Sequence, residues 1–248
     1  MTQLQRLAIA PEQCFEQTVL LTPEQQHYLI HVLRLKGGDR FIAILPQGQW
    51  QLAELQPSPN AAQLLEPIVI QTELAQPITL MAALPKGQGF EEVVRTVTEM
   101  GVTTLIPLLT ERTVAYPSDR KLERWRRIAT EAAEQAHRQI VPDLWHPVSF
   151  DQALRMAQDD RFATQGHFIC VTDDTVPHLL HPLINEPSMG ILMMVGPEGG
   201  WTPTEQAAAI AQGFRPVSLG RRVLRAITAS IAVVALLAAH IDAAQTAE

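Results

Sequence analysis

The sequence predicts an α/β fold, a mostly parallel sheet with helices on both faces, preceded by a small β-rich module. Three observations carry this. From residue 78 onward, short apolar runs alternate with helical patterns of about 10 to 15 residues, the rhythm of βαβ units. The runs LIPLL and ILMMV are apolar at almost every position, as strands covered on both faces require. Before residue 75 the rhythm differs: short strand-like runs are divided by proline, glycine and asparagine.

The N-terminal module opens on an apolar start from Leu7 to Ile9. Residues 23–35 suit a short helix carrying Leu29, Ile30, Leu33 and Leu35, which Gly37, Gly38 and Asp39 end and turn. Strands are expected at 40–45, 49–55 and 64–71, separated by Pro46-Gln47-Gly48 and Pro57-Ser58-Pro59-Asn60. A polar link at 71–77 leads into the second part. There strands are expected at 78–84, 104–109, 167–172, 191–195 and 216–219, with helices at 90–100, 120–137, 150–158, 204–212 and 224–240.

Composition sets outer limits. The chain has 248 residues, 46% hydrophobic and 18% charged, which excludes a disordered polyelectrolyte. Two cysteines, Cys14 and Cys170, cannot build a disulfide framework, so a reducing cytoplasmic setting is expected. The apolar stretch 226–239 holds Thr228 and Ser230 and falls short of the roughly 20 residues a bilayer crossing needs, so it reads as a buried helix and no membrane partner is expected. The N-terminus shows no secretory signal. A net charge of -7, from 19 Lys and Arg against 26 Asp and Glu, argues against nucleic acid only as a sum, because a polyanion responds to where cations sit.

In an open α/β sheet, ligands collect at loops leaving the carboxyl ends of strands. Three such loops stand out: 172–175, 196–202 and 218–225. The second, Gly-Pro-Glu-Gly-Gly-Trp-Thr, enters a helix with Thr202 or Thr204 as N-cap and Pro203 and Glu205 in its first turn. It is not a phosphate cradle, since it lacks GxGxxG and GK[ST], and Glu198 would sit where a phosphate binds. A carboxylate among exposed amides better suits hydroxyls, amines or a cation, and glycines let backbone approach a flat ring. Taken alone it is equally a tight βα turn. The third loop places Arg221, Arg222 and Arg225 at the start of an apolar helix, against its macrodipole, and such a placement points to a ligand or partner supplying negative charge.

The segment MVGPEGGWTPTE followed by LGRRVLRAITASIAVVALL resembles the RsmE family of 16S ribosomal RNA uridine-N3 methyltransferases, within the SPOUT superfamily. The segments LPKGQGFEEVVRTVTEMGVTTLIPLLTERTV and RWRRIATEAAEQAHRQIVP resemble that family's middle, and HYLIHVLRLKGGDR its N-terminal PUA-like module. The likeness thus covers nearly the whole chain. It implies a PUA-like RNA-binding barrel at 1–74 and, at 75–248, a methyltransferase domain whose C-terminal segment threads a deep trefoil knot. Periodicity alone gives an unknotted sheet. The resemblance further implies a homodimer acting on 16S rRNA of the small ribosomal subunit, with S-adenosyl-L-methionine as cofactor. Carried onto this chain, the cofactor lies against Thr172, Val195, Gly196, Glu198, Gly199 and Gly200, and against Leu219, Gly220, Val223, Leu224 and Arg225. One departure stands out: the family segment reads LGPRILRTETA, whereas this chain has Arg221 for the proline and Ile227 for the glutamate. Glu198 is the nearest acid to replace it.

Methyl transfer to uracil N3 needs the N3 proton removed and the resulting anion stabilised by positioned charge. Arg225 and Arg112 are the expected stabilisers, and Glu198 a proton acceptor. RNA contacts are expected from Arg6, His27, Arg34, Arg112 and Arg138, with Arg6, His27, His31, Arg34, Lys36 and Arg40 forming one cationic cluster. On the 120–137 helix, Arg120, Arg124 and Arg127 share a face that either tracks a backbone or is ion-paired to interleaved Glu123, Glu131 and Glu134. His27 and His31 stand i, i+4, yet no third ligand supports a metal, so none is expected. Two other readings compete: a SPOUT ribose 2′-O methyltransferase of tRNA or rRNA, and a non-catalytic RNA-binding assembly factor, the latter motivated by Ile227.

Overall fold

The computed structural model describes residues 4–58, 60–68, 72–87, 89–113, 116–173, 175–185 and 189–245. The chain divides into two compact units, residues 1–73 with 133–141, and 74–132 with 142–248.

The first unit holds β1 (Arg6–Ala8), β2 (Cys14–Phe15), β3 (Thr18–Leu20), α1 (Pro23–His27), β4 (Arg40–Ile44), β5 (Trp50–Leu55) and β6 (Ala61–Ile68). Its sheet runs β1-β4-β5-β6-β3-β2, antiparallel except for the β1–β4 pair. The helix expected over 23–35 is shorter. Thr22 caps α1, its hydroxyl accepting from the Gln25 N–H, and Pro23 takes the first turn, where its missing donor costs nothing. After His27 the backbone widens into a π-helical turn, Tyr28–Val32, and Arg34 at φ +59° reverses it. The widened turn still drives Leu29 into a core with Leu7, Val19, Phe41 and Leu55. On the other face of β4, Ile42 and Ile44 pack with Trp50. The segment 133–141 is tied in by the Glu134 carboxylate, which accepts from the Ala8 N–H at 2.6 Å.

The second unit holds β7 (Ile78–Ala83), α2 (Phe90–Glu99), β8 (Thr104–Leu109), α3 (Asp119–Gln135), β9 (Asp143–Leu144), β10 (Val148–Ser149), α4 (Phe150–Met156), β11 (Gly166–Cys170), α5 (Leu180–Asn185), β12 (Ile191–Val195), α6 (Pro203–Ala211), β13 (Arg215–Val217) and α7 (Ala226–Gln245). Every strand pair in its sheet is parallel, in the order β10-β8-β7-β12-β11-β13, with β9 beside β8. The alternating α/β expectation holds, and the short strands β2, β3, β9 and β10 are additions that a two- or three-residue run cannot signal. Met81, Ile106, Leu192 and Met194 meet Phe150, Leu154 and Ala209 of α4 and α6. Strand alternation turns Leu80, Ala82 and Met193 to the opposite face, where α7 packs on β7 and β12 and against α2.

The last helix corrects one expectation. At 20 residues α7 is long and apolar enough, by length and composition alone, to cross a membrane, and only 33% of its most apolar window is buried. Ser230, Val233, Val234, Leu237 and Ile241 are buried, while Ile231 and Leu236 on the other side stay partly open. It is a core helix with a second apolar face and not a wholly enclosed one.

Candidate active site

The parallel strands β11, β12 and β13 release their loops at one end of the sheet, where ligands collect in such folds. The 196–202 loop is built for close approach. The Gly200 N–H closes a turn onto the Pro197 carbonyl at 2.8 Å, and Gly200 sits at φ +70°, a conformation costly for any residue with a Cβ. Gly196 is favoured for another reason: a Cβ there would press on the Trp201 indole at 3.0 Å. That indole donates its N–H to the Cys170 carbonyl at 2.8 Å, fastening the loop to the end of β11.

Thr202, rather than Thr204, caps α6. Its hydroxyl accepts from the Glu205 N–H at 3.2 Å, and the Glu205 carboxylate accepts from the Thr202 N–H at 2.9 Å, a reciprocal capping box. The other Glu205 oxygen accepts from the Glu111 N–H at 2.9 Å, so one buried acid joins the loop after β8 to the start of α6. From that same loop the Arg112 guanidinium donates to the Gly199 carbonyl.

These loops enclose a cavity of about 200 Å³. Val171, Val195, Leu219, Leu224, Ala226 and Ala229 give it apolar walls, and Thr172, Gln206 and Arg222 supply polar groups. Cys170 also lines it, its thiol pushed up to about 12 by burial against Met193 and so neutral and poorly nucleophilic. The cavity therefore suits a ligand with a flat apolar ring and a polar end.

Known proteins share this arrangement. Residues 72–238 match the family model of an RNA methyltransferase domain, and residues 21–66 that of an RNA methyltransferase PUA domain. The ribosomal RNA small subunit methyltransferase E of Synechocystis sp. is 48% identical over 96% of this chain and 78% of that protein. The chain belongs to this family. The methyltransferase E of Bacillus subtilis is 30% identical, over 86% of this chain and 87% of that one. The crystal structure of a methyltransferase E from Neisseria gonorrhoeae bound to S-adenosyl methionine superposes with a TM-score of 0.83 at 28% identity, covering 95% of this chain and 97% of that chain. A methyltransferase from Legionella pneumophila in complex with the same cofactor gives 0.83 at 26%, covering 96% and 98%. The fold is thus a SPOUT methyltransferase domain with a PUA domain at its N-terminus.

Of the residues that the family resemblance sets against a cofactor, Thr172, Val195, Gly196, Gly199, Gly200, Leu219, Gly220 and Leu224 line the cavity. Glu198, Val223 and Arg225 do not. Glu198 is exposed and accepts from the Lys86 N–H at 3.3 Å. Val223 is 81% exposed, and Arg225 is exposed with its carbonyl accepting from the Ala229 N–H. Trp201, Cys170, Gln206, Ala226 and Ala229 line the cavity without having been singled out. Trp201 had a signal, as the aromatic closing the Gly-Gly turn; the alanines of α7 had none.

The expected RNA contacts separate. His27, Arg34 and Arg112 are exposed. Arg6 is half-buried, its guanidinium 5.3 Å from the Trp50 ring centroid. Arg138 is a correction: it is 3% exposed and bonded to Glu73 at 2.6 Å, because a guanidinium enclosed here needs a carboxylate. Two of the five α3 cations are ion-paired, Arg124 to Glu91 at 2.7 Å and Arg127 to Glu131 at 3.6 Å. The cationic cluster also stands among more acids than its spacing suggests, since residues 1–73 hold four Lys and Arg against seven Asp and Glu.

Proposed function

We propose that this protein transfers the methyl group of S-adenosyl-L-methionine to N3 of a specific uridine in 16S rRNA of the small ribosomal subunit. The observation that carries the reading is the cavity formed where β11, β12 and β13 end, in a chain 48% identical to a methyltransferase of this kind. The cofactor's donor chemistry is an electrophilic methyl on a sulfonium. Val195, Leu219 and Leu224 would hold its flat ring, with the backbone of Gly196, Gly199 and Gly200 and the Thr172 side chain at its polar parts. Glu198, Val223 and Arg225 would complete that site only by moving inward.

The protein's own contribution is to position uracil and neutralise charge. N3 becomes a nucleophile when its proton leaves, and the negative charge spreads to O2 and O4. A guanidinium facing that edge lowers the barrier because it is already oriented when charge develops. Arg112 is held by the Gly199 carbonyl at the cavity rim, which supports it in this role; Arg225 is the second stabiliser. Glu198 would accept the proton.

The partly open apolar side of α7 supports a homodimer, since a second copy offers the same side to cover it. The C-terminal knot is in keeping with the return of the chain from β13, at the sheet edge, to α7 on β7 and β12. A cytoplasmic location accords with a ribosomal substrate. Residues 1–74 would bind RNA and 75–248 would transfer the methyl group.

Mass spectrometry of rRNA nucleosides from cells with and without the protein tests the reading. Loss of 3-methyluridine is expected, and an unchanged level overturns it. Calorimetric titration with S-adenosyl-L-methionine should show binding. Arg112→Ala and Arg225→Ala should each slow methyl transfer at least tenfold with RNA still bound; wild-type rates in both would remove the arginine assignment. Ile227 favours one alternative, a factor that binds RNA without transfer, which cofactor binding with no methylation of any RNA would support.

A further inference from the structure

A second, shallow recess of about 30 Å³ opens at the carboxyl ends of β7 and β8. Leu84, Pro85, Phe90 and Trp125 form its apolar wall, and Tyr116 and Lys121 are its polar members. The Phe90 and Trp125 rings meet at 4.5 Å between centroids. Lys121 Nζ lies 5.6 Å from the Trp125 centroid and donates to the Gly87 carbonyl at 3.3 Å.

Two features frame the mouth of the recess. Trp125, 1% exposed and packed on Phe90, forms its floor. Tyr116 holds its side chain 71% exposed. An aromatic ring in water and an ammonium at the mouth of one apolar recess suit a flat ring with acceptor atoms on its edge. Lys121 is the only charged residue lining the recess among the described residues, so its charge preference is for an anionic or carbonyl-bearing ligand. The recess is tied to the cofactor loop by one hydrogen bond, from the backbone N–H of Lys86, between Pro85 and Gly87 of its wall, to Glu198.

We propose that the mouth of this recess is a second nucleobase site, which stacks an unpaired base neighbouring the methylated uridine on Tyr116 and meets its edge with Lys121. The inference rests on the RNA-methyltransferase reading and extends it to recognition of the sequence around the target. Stacking accepts any base, whereas the Lys121 ammonium favours bases presenting carbonyl or ring-nitrogen acceptors.

Photo-crosslinking separates the two readings. The full-length protein, with S-adenosyl-L-methionine, is irradiated with short small-subunit rRNA fragments carrying 4-thiouridine at single positions either side of the target, and the tryptic peptides are mapped. A crosslink to residues 113–120, the peptide holding Tyr116, is expected from a position one or two nucleotides from the target. Tyr116→Ala, at an exposed side chain, should abolish it and raise KM for RNA about tenfold with cofactor Kd unchanged, and Tyr116→Phe should restore both. Wild-type KM in Tyr116→Ala, or crosslinks that all map elsewhere while methylation proceeds, overturns the base site and leaves the methyltransferase reading standing. So does a crosslink displaced by an aromatic peptide but not by unlabelled RNA, which would make the recess a protein-docking site. A crosslink at Tyr116 in a protein that methylates no RNA overturns the methyltransferase reading and leaves the base site standing.

Discussion

Ile227 occupies the space where a side chain on Gly89 would begin: a Cβ on Gly89 would overlap the Ile227 Cδ1. The start of α7 is thereby set against the N-cap of α2. Gly89 itself has φ -64° and ψ -13°, a conformation open to any residue. Replacing glycine by alanine at such a site normally stabilises by about 0.4 to 1 kcal/mol through the unfolded chain. Here the Ile227 tip must turn aside from its place, and Gly89→Ala is expected to destabilise by about 1 kcal/mol. Ile227→Val deletes the offending methyl, so the double variant should recover most of that loss, a coupling that urea unfolding of all four proteins measures. A Gly89→Ala protein as stable as wild type would rule out this contact.

Glu205 joins two loops through one carboxylate, so its loss should be felt in both. Glu205→Ala leaves the N–H groups of Thr202 and Glu111 without acceptors and removes half of a capping box. An expected cost of about 2 kcal/mol follows from the cap and from the unpaired donors. Thr202→Ala should cost about 1 kcal/mol, and the pair together less than the sum, since both break one network. Thermal unfolding gives the stabilities. Titration with S-adenosyl-L-methionine should show weaker binding to Glu205→Ala, because the 196–202 loop ends on this cap; unaltered affinity would mean the loop keeps its shape unaided.

Cys170 makes stability depend on alkaline pH. Burial raises its thiol from 9.0 to about 12 in the folded chain, so the folded state favours the neutral form. The resulting stability is complete below pH 9 and fades as pH rises towards 12, because the unfolded chain releases the proton first. Over that window the slope attributable to one thiol is about 1.4 kcal/mol per pH unit. Cys170→Ala should flatten the urea-unfolding profile above pH 9 by that amount, and an unchanged slope would show the thiol to be as ionisable folded as unfolded.

What sequence reveals here depends on how local the cause is. The runs LIPLL and ILMMV and the Gly-Pro-Glu-Gly-Gly turn are contiguous, and each states its structure within a few residues. The Thr202–Glu205 cap was readable to within one choice of threonine. By contrast, Arg138 looks like any surface cation until Glu73, far off in sequence, is brought to it. The same holds for the Tyr116 and Trp125 recess, whose walls come from two separate segments. The widened turn at Tyr28–Val32 kept the helical apolar pattern and so hid its departure from an α-helix.

The Arg138–Glu73 pair sets folding against RNA binding. Glu73 accepts from the Arg138 guanidinium at 2.6 Å and from the N–H groups of Gln139 and Ile140 at 2.8 and 3.2 Å, so the acid is a hub within the first unit. Removing one member of an enclosed pair strands the other, and Arg138→Ala is expected to cost about 3 to 5 kcal/mol. Because its charge is shielded from solvent, the salt dependence of RNA association should not change. Arg34 is exposed, and if it meets a phosphate, Arg34→Ala should leave stability within about 0.5 kcal/mol while flattening the plot of log K against log salt by roughly one unit. Binding of rRNA fragments across a KCl series, beside urea unfolding, measures both. An Arg138→Ala protein of full stability with a flattened salt slope would return this arginine to the RNA surface.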